Sequence, residues 1–236
     1  MRQLDDWMPY LATNSGLPGP RGNLELVAAC AEEAGVRRAR LLIRSGDEFA
    51  TVCGTVALGR IYGEGHDEGY AALLHASAAD DRWRVREGAA MAIQRAADAD
   101  PERGFGLAET WATDPDPLVR RAAVAGVCEP RLLRDARSVS RTLELLAVVT
   151  NDLAEHSPEL RRRPEWRTLR QALGYGWSVA VAASPAAALP VFERMGESED
   201  VDVHWIVREN RKKSRFEKAV RSIPASAPQA AAVIRP

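Results

Sequence analysis

Trp83 and Glu87 stand four residues apart, and Trp205 and Glu209 repeat the spacing. On a helix, residues four apart share a face, so each pair sets an indole beside a carboxylate. That arrangement cradles a cationic base or ligand through the ring face. The plainer reading, Trp packed between helices with Glu as a solvated or ion-paired neighbour, weighs more. A second chemistry is cationic. Arg208, Arg211, Lys212, Lys213, Arg215, Lys218 and Arg221 crowd the C-terminal stretch, and Arg131, Arg134, Arg137, Arg141, Arg161, Arg162, Arg163, Arg167 and Arg170 precede them. Gathered in one groove, such groups hold a phosphate backbone with strong salt dependence; otherwise they form the polar end that a stack of repeats needs. Trp83, Glu87, Trp205, Glu209, Arg211, Lys212, Lys213, Arg215 and Lys218 are thus the candidate partner- or DNA-binding residues.

Other constellations are weaker. Gly16, Gly19 and Gly22 precede a helix as a phosphate loop would, but no strand leads into them, no Gly-Lys-Ser/Thr comes after them, and Pro18 and Pro20 remove N–H donors, so they read as a connector. Glu197, Glu199, Asp200 and Asp202 suit a helix start better than a divalent cation. His66, His75, His156 and His204 form no H-E-x-x-H, and no Gly-x-Ser-x-Gly or other local nucleophile–base signature appears. No catalytic residue, metal or cofactor is expected.

The elements that must position these residues are helices. Apolar residues recur at helical spacing nearly throughout, and runs alternating with period two are almost absent. The segment before residue 23 ends in a Gly/Pro loop, and Asn23 is a good N-cap for the helix beginning at Leu24. Helices then come in pairs: 24–34 with 49–61 (37–44 lying between as helix or connector), 68–78 with 82–97, 104–112 with 118–128, 139–153 with 165–181, and 186–195 with 203–214. Pro117 and Pro185 suit a first helical turn. Residues 1–22 read as an N-terminal segment, 23–223 as the helical domain, and 224–236 as a tail with little to bury.

Three helices open on one pattern, an Asp with Val and Arg five and six residues after it: Asp80, Val85, Arg86; Asp114, Val119, Arg120; and Asp202, Val207, Arg208. The first two copies are 34 residues apart and the last two 88, room for two more units of about 40. The Asp is expected to cap the helix and the Val to pack. The Arg should reach the Asp or a carbonyl of the adjoining unit, forming a ladder. Small residues beside the Val (Ala89 and Ala92; Ala123 and Gly126) suit close stacking. Stretches 80–90 and 114–123 resemble the second-helix consensus of HEAT repeats, with 202–213 a partial match. The resemblance implies a right-handed α-solenoid, here of about five HEAT-like helix pairs, with a concave recognition face; most such proteins are scaffolds. Residues 204–216 more weakly resemble the closing repeat of the DNA alkylation repeat family. Its glycosylases use Trp and Asp around the lesion, a motif for which Trp111 with Asp114 is the nearest approach in this chain.

Composition sets the remaining bounds. With 236 residues, 46% hydrophobic, the chain has enough apolar content for a sizeable core. Its formal charge of −1 hides an asymmetry: residues 1–118 carry 12 Lys and Arg against 19 Asp and Glu, net −7, and residues 119–236 carry 20 against 14, net +6. Three scattered cysteines, Cys30, Cys53 and Cys128, suggest neither a disulfide framework nor a zinc site, and fit a cytoplasmic setting. The longest apolar stretch, 179–192, is broken by Ser184, Pro185 and Pro190, so no membrane span and no leader is expected. The expected function is a non-catalytic scaffold binding a protein partner on its concave face. The alternative is a DNA-binding alkylation-repeat protein acting through the basic C-terminal half, and if an enzyme, a glycosylase removing alkylated bases.

Overall fold

The structure, a computed structural model, describes residues 6–65 and 69–222. Within them fourteen α-helices succeed one another, with one 3₁₀ turn at Pro130–Leu132 and no strand. Helix α1 (Met8–Asn14) precedes the Gly/Pro loop. The first unit is α2 (Leu24–Glu33), α3 (Val36–Ile43) and α4 (Glu48–Gly63), so the basic stretch at 37–44 is a helix of its own. Next come α5 (Tyr70–Ala78) with α6 (Trp83–Ala99), and α7 (Pro101–Ala112) with α8 (Pro117–Val127). Then α9 (Ala136–Glu155) and the single-turn α10 (Pro158–Arg161) lead to α11 (Pro164–Ala183). The last pair is α12 (Pro185–Met195) and α13 (Val201–Arg211), and α14 (Ser214–Arg221) closes the array. The basic C-terminal stretch therefore lies on two helices, broken at Lys212 and Lys213, and not on one. The tail from 224 onward, and Glu68 and His66, lie outside the described residues.

Helices α4, α6, α8, α11 and α13 each pack on the next and form one continuous row, with the first helix of each pair behind it. The chain is an α-solenoid. Local chemistry sets the breaks: Asn23, Asp47, Asp100, Asp116, Asp135 and Asp200 cap α2, α4, α7, α8, α9 and α13 with their side chains. Pro101, Pro117, Pro164 and Pro185 occupy first turns, where a missing N–H costs nothing. The row is tight because glycines face it: a Cβ on Gly126 of α8 would lie 2.7 Å from Ile93 of α6, and one on Gly59 of α4 would collide with Ala92. No helix among the described residues is long and apolar enough to cross a membrane.

The Asp/Val/Arg pattern builds something different from the expected ladder. Arg82, not Asp80, is the N-cap of α6, and Asp116, not Asp114, that of α8. Each Asp stands two residues ahead of its cap and accepts from the cap's backbone N–H at 2.8 Å. The Arg, four residues past the cap, turns back on the loop: Arg86 donates to the carbonyls of Asp80 (2.6 Å) and Asp81 (2.8 Å), and Arg120 donates to that of Asp114. The motif is a staple within a unit, closing the turns that feed α6 and α8. Only Arg120 also reaches onward, pairing with Asp152 of α9.

The third copy does not make this staple. Helix α13 is capped by Asp200, so Asp202 lies two residues inside the helix rather than two before it. That is a slide of four residues, about one turn. Asp202 pairs instead with Arg161 at 3.0 Å and with Arg170, Val207 is still buried, and Arg208 is exposed, 3.8 Å from Glu209. The residue equivalent to Asp80 and Asp114 is Ser198, whose hydroxyl accepts from the Asp200 N–H at 3.2 Å; Ser45 does the same for Asp47, the cap of α4, at 3.3 Å.

The charge asymmetry of the two halves resolves into ties between neighbouring units. Arg121 pairs with Glu87, Arg131 with Asp98 at 3.0 Å, Arg137 with Glu102 at 2.9 Å, and Arg141 with Glu109 at 2.6 Å. In each pair the acid comes from the acidic half and the arginine from the basic half.

Candidate groove on the second-row helices

The exposed side of the second-row helices carries two cavities that share a residue. The first, about 320 Å³, is walled by Leu24 and Val27 of α2, Phe49 and Val52 of α4, and Trp83 and Met91 of α6. Pro20, Arg21 and Gly22 of the Gly/Pro loop complete it, so the loop read as a connector supplies one wall of an apolar pocket. Trp83 is 51% exposed, alone among the six tryptophans in being that open, and Leu24 is 62% exposed. The Arg84 guanidinium lies 4.5 Å over the Trp83 ring and is itself fixed by Glu48 (3.2 Å) and the Gly19 carbonyl (3.1 Å). The indole is therefore held in place by a stacked, anchored cation.

The second cavity, about 480 Å³, runs on from Glu87 across α8 to α11 and is polar. Glu87, shared by both, is paired with Arg121. Gln94 of α6 donates to the Ala125 carbonyl at 3.4 Å, and Gln171 of α11 is exposed. At the far end Tyr175, 43% exposed, receives Arg215 of α14: the guanidinium stacks 4.4 Å over the ring and donates to the hydroxyl at 2.9 Å. Cys128 also lines this cavity, but burial pushes its thiol up to about 12, so it is neutral and unreactive at neutral pH. Cys30, Cys53 and Cys128 are all free and buried.

The two Trp/Glu pairs share a spacing and differ in setting. Trp83 is the first residue of α6 and open to solvent; Trp205 is the fifth of α13, half-buried against Gly174 with Arg170 stacked at 4.5 Å. Glu209 binds Lys212 at 2.6 Å, which holds its carboxyl below the usual range. The structure brings Trp83, Glu87 and Arg215 to one groove and leaves Trp205 and Glu209 outside its lining. In the basic stretch Arg211 pairs with Glu193 at 2.6 Å and Arg221 with Glu217 at 3.5 Å, while Lys213 and Lys218 pair with no carboxylate among the described residues. Trp111 is buried, and Asp114 is engaged by His75 at 2.7 Å. Asp200 has both oxygens on Arg161 (2.9 and 2.7 Å); burial raises its carboxyl, and Arg161 together with the Val203 and Asp202 N–H groups outweighs that to leave it lowered. No group of three or more His, Cys, Asp or Glu side chains suited to a metal ion occurs among the described residues.

Arg121, Gln94, Gln171 and Tyr175 carried no signal in the sequence, because they come from three helices joined only by stacking. Arg21 and Leu24 had one, their place at the exit of the Gly/Pro loop.

No protein-family model matches the chain, and no curated protein matches its sequence. Among solved structures it is similar to two engineered proteins, one at 17% identity over 89% of this chain and 88% of the other (TM-score 0.40), one at 15% over 92% and 94% (TM-score 0.39). It is also similar to a designed armadillo repeat protein in complex with the peptide (KR)4, at 14% identity over 89% and 100% (TM-score 0.35). At these scores the likeness bears on neither partner nor activity.

Proposed function

We propose that this chain is a non-catalytic scaffold that binds an extended segment of a protein partner in the groove between Trp83 and Tyr175. The observation that carries the reading is the sharing of Glu87 by an apolar cavity and a polar one. An extended peptide presents alternating side chains and a periodic row of N–H and C=O groups. The apolar pocket suits the former; the carboxamides of Gln94 and Gln171 suit the latter, since each offers both donor and acceptor. Exposed aromatics held by stacked arginines at both ends supply rigid contact area at small entropic cost.

A phosphate-binding groove has less support. Arg131, Arg137 and Arg141 face carboxylates of the preceding units, and Arg211 and Lys212 face Glu193 and Glu209. A cytoplasmic setting, consistent with three free cysteines, belongs to the same proposal.

Panning a random-peptide display library on the full chain tests the reading. Peptides retained by the wild type are expected to be lost on a Trp83→Ser/Tyr175→Ser variant and kept on Lys213→Glu/Lys218→Glu. Retention by the groove variant, or no enrichment at all, contradicts it.

A further inference from the structure

The apolar end of the groove carries a charge that the fold leaves unmatched. Around its mouth stand Arg21, Arg84, Glu48, Glu87 and Arg121. Arg84 is paired with Glu48 and Arg121 with Glu87, so these four cancel. Arg21 is exposed, lines the cavity and makes no bond to any described residue. The pocket therefore presents apolar walls and a single net positive charge at its rim. Its volume of about 320 Å³ lies at the lower edge of small-molecule sites, and its walls offer few polar groups to orient a cofactor.

We infer that this end of the groove is a specificity pocket for a linear peptide motif: one bulky aliphatic or aromatic side chain, with an Asp or Glu immediately beside it. The apolar side chain enters between Trp83, Phe49 and Leu24. The neighbouring carboxylate meets the Arg21 guanidinium as a charge-assisted pair. Adjacent residues of an extended strand point to opposite faces, so the apolar side chain turns into the pocket while the carboxylate stays at the rim, where Arg21 stands. A basic residue beside the anchor would meet Arg21 as a like charge. The inference rests on the groove being a peptide site and adds what that site selects.

The test is the consensus of the selected peptides together with a charge swap, with helical content checked by circular dichroism for each variant. Wild-type chain is expected to enrich a Leu, Ile, Phe or Trp flanked by Asp or Glu. Trp83→Ser should weaken synthetic consensus peptides about thirtyfold. Arg21→Glu should weaken them about fivefold and restore binding when the Asp is replaced by Lys. Both side chains are exposed, so neither change threatens the fold. Enrichment of basic motifs, or of motifs without an apolar residue, overturns the inference. So does a consensus whose binding ignores Arg21→Glu. If peptides depend on Tyr175 and Gln171 but not on Trp83 and Arg21, the scaffold reading stands and this one fails. If no groove variant matters, both fail.

Discussion

The loops entering α8 and α13 invite comparison, because each carries Asp, Val and Arg at the same spacing and only one is stapled. At α8 the Asp precedes the cap by two residues, and Arg120 folds back to its carbonyl, buried and paired onward with Asp152. At α13 the helix begins earlier in the pattern, Asp202 is carried inside, and Arg208 is delivered to solvent. A spacing in sequence fixes neighbours along a helix, but the job of those neighbours depends on where the helix starts. The cap decides that, and the caps here are Asp116 and Asp200.

The difference has measurable size. The largest effect is expected at Arg120. Arg120→Ala strands the Asp114 carbonyl and Asp152 and removes a cation stacked over Trp166, and should cost about 3 kcal/mol in urea unfolding. Arg86→Ala, which loses two carbonyl contacts but no acid, should cost about 2 kcal/mol by the same assay. If the two cost the same, the onward tie to Asp152 contributes nothing.

Asp80 gives the comparison a pH axis. Its hydrogen bonds from Arg82 hold its carboxyl below the usual value, burial opposing only in part. A depressed folded value means stability present above about pH 4, the unfolded range, and lost as pH falls through the folded value. Asp80→Asn should therefore lower stability at pH 7 by about 1 kcal/mol and flatten the loss as the pH falls below about 4. An unchanged acid limb would mean that Asp80 does not titrate with folding. The smallest effect is expected at Arg208: Arg208→Ala should shift stability by less than about 0.5 kcal/mol, and a loss as large as that of Arg86→Ala would show that the third staple forms after all.

Much of the architecture is legible in the sequence because helix stops and starts are written in single residues. Asn23, Pro117 and Pro185 mark helix starts where α2, α8 and α12 begin, and small residues at Ala92 and Gly126 announce the tight row. The slide at α13 stays hidden, because matching Asp202 to Asp114 ignores the better match of Ser198 before Asp200 to Asp114 before Asp116. The groove is half legible. Trp83 and Glu87 are four apart on one helix and show their shared face. Arg121 and Tyr175 meet Glu87's cavity only through the stacking of α6, α8 and α11, a tertiary event without local signature. The charge asymmetry suggests a basic surface, yet much of it closes on itself, because units that stack bring their opposite charges together.

The staples and the proposed recognition groove share helices α6 and α8, so changes in stability and changes in binding must be told apart. Tryptophan emission separates them, since Trp83 is 51% exposed while Trp7, Trp111, Trp166 and Trp177 are buried and Trp205 is half-buried. Acrylamide quenching, measured with and without a library-selected peptide, should show a readily quenched component that disappears on peptide binding and is missing from Trp83→Phe. A peptide that binds tightly yet leaves that component fully quenchable would contradict the placement of the site at Trp83.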